Sequence, residues 1–131
     1  MIIILMLMTT VTSCKKTCID DLPAEQTIIG KWELRNSFCG WGPGPVNHPA
    51  GNGTTITFNS NGQYMATGTR NDSGVYRLST RTNGQGQIEN LLYLGGNWNQ
   101  EFRFSLTGYT FKLDENAFIY DGCEYGYQKI K

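Results

Sequence analysis

The residues of this 131-residue chain that have chemistry to offer are few and widely spaced: four cysteines, Cys14, Cys18, Cys39 and Cys123, and a single histidine, His48. One histidine cannot build a His-rich metal site. A histidine-based triad would have to use His48 itself, which lies between two turn formers, Asn47 and Pro49. The acids Asp72, Asp114, Glu115 and Asp121 fall at predicted turns, where side-chain-to-backbone hydrogen bonding accounts for them without a catalytic dyad or a calcium loop. No glycine-rich phosphate loop leads from a strand into a helix. The expectation is a protein that is not an enzyme, uses no cofactor and holds no metal, and whose cysteines serve covalent attachment or cross-linking.

The charge balance removes another class. Lys plus Arg and Asp plus Glu both total 11, so no global field steers the chain to DNA, RNA or an acidic surface. Tyr (7), Phe (6), Trp (3) and Gly (16), with frequent Asn and Thr, are the vocabulary of strands and tight turns. An all-β protein follows.

The elements that must position these residues are read from periodicity. From Ile28 onward, Trp32, Leu34 and Phe38 alternate with Lys31, Glu33, Arg35 and Ser37, which is strand period. The stretch from Cys39 to Gly53 is broken by repeated Gly and Pro and reads as one long loop with no ladder through it. Thr54 to Asn59 and Gln63 to Thr69 flank Ser60-Asn61-Gly62, a hairpin signal. Asn71-Asp72-Ser73-Gly74 reads as the next turn, leading into Val75 to Thr80, and Asn83-Gly84-Gln85-Gly86 as the one before Ile88 to Leu94. After Gly95-Gly96-Asn97, Trp98, Phe102, Phe104 and Leu106 alternate with polar residues. Tyr109 to Leu113 and Glu124 to Lys131 complete the set, with Ala117 to Tyr120 either extending a strand or forming another. About eight antiparallel strands joined by short turns make a meander, and eight is the number that closes a small barrel. One domain covers residues 28–131, preceded by an aperiodic tether, 14–27.

Ahead of the tether, Ile2 to Met8 is an apolar run far short of the ~20 residues that span a bilayer. It is followed by Val11-Thr12-Ser13-Cys14, which resembles a bacterial lipoprotein cleavage box. The resemblance implies that residues 1–13 are a signal peptide, that Cys14 carries lipid, and that this lipid is the membrane contact of a cell-envelope protein exposed to the periplasm or the exterior. Lys15 after Cys14 leans to the outer membrane by the same analogy. Gly30-Lys31-Trp32 on the first strand resembles the Gly-x-Trp signature of lipocalins. The whole of 28–131 is similar to small lipocalin-like lipoproteins of Gram-negative bacteria through Ile56-Thr57-Phe58 with Ser60-Asn61-Gly62, Gly74-Val75-Tyr76 and Tyr125-x-Tyr127-x-Lys129. That likeness implies a lipocalin-like barrel with Gly30 and Trp32 as structural anchors at a closed end, Lys129 or Lys131 covering Trp32, and the 39–53 loop folded over an open mouth. Trp41 and His48 become candidates for contact with a ligand or partner protein. Phe58, Tyr64, Tyr76, Phe102, Phe104 and Phe111 become candidates to line a cavity for a small apolar ligand, or else to fill the core. The alternative function is an envelope-stress or inhibitor-type domain acting through its surface.

Barrel closure also bears on the cysteines. If first and last strands pair antiparallel, opposed residue numbers sum to a constant, and placing Gly30 near Lys131 sets it at roughly 160. Cys39 then falls within two positions of Cys123, close enough for a disulfide in an oxidising compartment given a small bulge or flexible strand end at Asp121-Gly122. Pairing of Cys18 with either Cys39 or Cys123 stays open, because a flexible tether reaches many places.

Overall fold

A computed structural model describes residues 28–115 and 122–131. Cys14, Cys18, Asp121 and Ala117 to Tyr120 lie outside them. The strands are β1 (Gly30–Cys39), β2 (Val46–Asn47), β3 (Thr55–Phe58), β4 (Gln63–Thr67), β5 (Asp72–Thr82), β6 (Ile88–Leu94), β7 (Gln100–Thr107), β8 (Thr110–Glu115) and β9 (Cys123–Ile130). All neighbours pair antiparallel, and β1 pairs with both β3 and β9, so eight strands close into a barrel with β2 as one extra strand. The all-β meander expected from periodicity is therefore what forms.

Closure follows the expected register and then departs from it. Lys31 faces Ile130 and Leu34 faces Tyr127, but a bulge between Leu34 and Asn36 inserts Arg35, so Cys39 lands on Cys123. The two form the disulfide, with an 84-residue sequence separation. The bulge also reverses the alternation of β1. Phe38, expected on the Trp32 face, points outward at 47% exposure. Ser37 lines the interior instead.

The other departures are local. β5 starts at Asp72, so the turn lies one step earlier, at Gly68 to Asn71, where the Asn71 side chain accepts the Gly68 amide at 3.2 Å. The long loop does carry a ladder: β2 pairs with Asn36 and Ser37 of β1. It packs back along β1 rather than across the mouth. The bulge residue Arg35 accepts the His48 amide at 2.8 Å, and the buried Glu33 carboxylate takes the Gly51 amide at 3.0 Å and the Arg35 guanidinium at 3.0 Å.

One end of the barrel is filled. Phe111 is fully buried with Trp32 at 5.5 Å, Phe58 at 5.8 Å, Tyr127 at 5.8 Å and Phe104 at 6.1 Å between ring centroids. Tyr76 closes on the edge of Phe58 at 5.0 Å, and its hydroxyl donates to the Asn59 carbonyl at 2.7 Å. Such tilted and edge-on ring pairs add to the burial of their large apolar areas. Trp32 donates its indole N–H to the Ile28 carbonyl at 2.7 Å, and the Lys129 ammonium lies 5.3 Å from its ring centroid. Gly30, at φ 133°, gives the Lys129 stem its path: a Cβ there would sit 2.8 Å from the Lys129 Cε.

On the outer surface, Glu89 joins Arg81 and Arg103, and Arg103 continues to Asp114, stitching β5 to β8. The Arg81 hydrogen bonds hold the Glu89 carboxyl below its usual range. Asp114 is thus an ion-pair residue on a strand rather than a turn cap.

Candidate functional site

At the opposite end, β1, β4, β6 and β8 finish and β3, β5, β7 and β9 begin. A cavity of about 290 Å³ opens there. Its apolar wall is Leu34, Ala66, Phe102, Leu113 and Tyr127. Above these run Thr54, Thr55, Thr67 and Thr69, then Ser37 with His48, Arg70 with Trp98, and Glu115 with Tyr125. The volume sits just below the ~300–1,000 Å³ typical of ligand pockets.

The bulge builds one side. By placing both Leu34 and Ser37 on the lining, it sets the Ser37 hydroxyl 3.1 Å from His48 Nε2. The distance suits a nucleophile and a base, but among the described residues no carboxylate orients the other ring nitrogen of His48, which a triad requires. The threonines pair with each other, Thr55 with Thr67 at 2.9 Å and Thr54 with Thr69 at 3.0 Å between hydroxyls. Glu115 accepts the Cys123 amide at 3.1 Å and the Tyr125 hydroxyl at 3.3 Å. Burial, then the neighbouring Glu115 charge, pushes the Tyr125 hydroxyl up, and burial does the same to Tyr127, so both stay neutral donors.

The other side is built by Asp72, a residue whose role is long-range rather than that of a turn cap. It is 8% exposed. Its carboxylate accepts the amides of Asn97 at 3.0 Å and Trp98 at 3.2 Å, and the Tyr64 hydroxyl stands 2.7 Å from both Asp72 and the Gly95 carbonyl, sharing its one proton. Gly96 must be glycine: at φ 63°, a Cβ would lie 2.5 Å from the Ser73 carbonyl oxygen and 2.7 Å from Asp72 Oδ1. This clasp lifts Trp98 out of β7, where alternation had placed it, and stacks it on Tyr64 with centroids 6.0 Å apart and planes 9° from parallel. The Arg70 guanidinium lies over the Trp98 ring, 5.2 Å from its centroid.

Burial alone would raise the Asp72 carboxyl. The amide of Asn97, the Tyr64 hydroxyl and the amides of Trp98 and Ser73 outweigh it and hold the group below its ordinary 3.8. Burial, and then the bond to Asp72, raises Tyr64. A depressed folded pKa means stability that is present above the unfolded value and is lost as pH falls through the folded one. Asp72→Asn should therefore cost about 2 kcal/mol at pH 7. In urea unfolding series, that deficit should shrink steadily below pH 4; a deficit that stays constant into acid would show that shape rather than charge holds the loop.

Of the six aromatic candidates read from the alternation, Phe102 alone lines the cavity. Phe58, Tyr64, Tyr76, Phe104 and Phe111 belong to the packed interior or to the clasp. Trp41, in the loop, is 73% exposed and takes no part in the lining. His48 does line it. Periodicity missed Ser37, which a bulge turns inward, Arg70, Trp98, Thr54 and Thr69, which lie in loops, and Thr55, Thr67 and Glu115, polar residues at strand ends. Among the described residues no group of three or more His, Cys, Asp and Glu side chains is placed to hold a metal ion. The chain matches no protein-family model, no curated protein and no solved structure.

Proposed function

We propose that this is a lipid-anchored lipoprotein of the cell envelope, of lipocalin-like kind, whose barrel binds a small ligand in its mouth. The observation that carries the binding half is the 290 Å³ cavity, apolar at its base and hydrogen-bonding at its rim. The aromatic rings beneath it leave no room for a long chain, which narrows the ligand to a single ring or a short chain. Protein purified from its native host and analysed by native mass spectrometry should retain a low-mass molecule near one equivalent. Ala66→Phe, which fills the cavity from a buried position on β4, should lose it while keeping a wild-type circular dichroism spectrum. Retention unaffected by Ala66→Phe, or an empty wild-type protein that no small probe saturates, would overturn the reading.

The anchoring half rests on Val11-Thr12-Ser13-Cys14 after the apolar run. Intact-mass analysis of the membrane fraction should show a mature chain that begins at Cys14 and carries added acyl mass. Soluble, unmodified protein from cells with working lipoprotein processing would count decisively against it.

A second reading has its own observation. Phe38, Trp41 and Val46 are exposed on β1, the turn after it and β2, which suits a domain that works through its surface on a partner protein. An empty cavity would favour this alternative.

A further inference from the structure

We propose that the ligand is a small carboxylic acid, its carboxylate bound by Trp98 and Arg70. This rests on the ligand-binding reading and adds the chemistry of the ligand.

The charges of the mouth point this way. Glu115 is engaged on both oxygens, by the Cys123 amide and the Tyr125 hydroxyl. Arg70 is exposed and lies over an indole ring, and among the described residues no carboxylate comes within ion-pair range of its guanidinium. Among the described residues, Arg70 is therefore the charged side chain of the lining whose hydrogen-bonding atoms have no protein partner. Its planar fork matches a carboxylate better than any neutral group.

Trp98 supplies the second observation. Its backbone amide and ring are held by Asp72 and Tyr64, yet its indole Nε1 is shut off from water with no acceptor among the described residues. A buried N–H without a partner is costly, and native structures retain few of them without a reason. The ring borders the cavity and the side chain over it is an exposed arginine. Binding requires that Arg70 swing on its stem and open the indole edge to an anion. A carboxylate satisfies both groups together, with one oxygen for each. Below it, Leu34, Phe102 and Leu113 receive a ring.

The test uses the full chain, ¹⁵N-labelled, and three probes of one shape: phenylacetate, phenylacetamide and phenethylamine. Phenylacetate should bind saturably and move the Trp98 indole N–H resonance downfield, an assignment made by its absence in Trp98→Phe. The amide should bind about tenfold more weakly and the amine weaker still. Arg70→Gln should weaken phenylacetate about tenfold and abolish its advantage over the amide. Equal binding of acid and amide, tighter binding of the amine, or saturation by phenylacetate with the indole signal unmoved would overturn the carboxylate assignment and leave the binding reading standing. Saturation by none of the three would overturn the carboxylate assignment, and the binding reading falls with it only if protein from the native host is also empty.

Discussion

Cys39→Ser/Cys123→Ser protein is expected to lose about 4 kcal/mol of stability, because the bond closes a loop of most of the domain and its removal frees the unfolded chain. For a domain of this size the melting temperature should fall by roughly 15 °C or more. The barrel itself should persist at 25 °C, since β1 and β9 remain paired from Lys31 to Cys39 without the bond. A chain-entropy effect has a second signature: the denatured state expands, so the urea m-value should rise as the midpoint falls. A loss below 1 kcal/mol with an unchanged m-value would mean that the cross-link acts on the native mouth alone.

Trp32→Ala should cost a similar amount, about 4 kcal/mol, for a different reason. The side chain is 0% exposed, packs on Phe111 and donates to the Ile28 carbonyl. Truncation opens a void at the filled end and strands a buried carbonyl. Trp32→Phe keeps most of the volume and loses the hydrogen bond, so it should cost about 1–2 kcal/mol. Urea unfolding of the pair separates the contributions; equal losses would assign the role to the bond, and a trivial loss for Trp32→Ala would show that the closed end does not depend on its anchor.

The fold was legible because its strands bury one face and advertise it every second residue, and because Ser60-Asn61-Gly62 and Asn83 to Gly86 are turns with local chemistry. The Cys39 to Cys123 pairing was legible to within two residues for the same reason. The mouth was not. Arg35 has no feature that marks it as an inserted residue, so alternation turned Phe38 inward and Ser37 outward, the reverse of what forms. Asp72 looks like a turn former, and its partners Asn97 and Trp98 are 25 and 26 residues away. Aromatic alternation showed which residues face inward, but not how deep each lies. Most of the candidates proved to be the floor of the cavity or its support.

The described chain enters the barrel at Ile28, beside Trp32, at the plugged end. On the proposed attachment through Cys14, the leash therefore joins the pole opposite the mouth. Residues 14–27, at no more than ~3.5 Å each, allow the barrel to stand off the bilayer by tens of ångströms. If both the anchoring and the binding proposals hold, exchange would take place with the aqueous compartment rather than with the lipid below. On that reading the protein would sample what diffuses past the membrane, not what is dissolved in it.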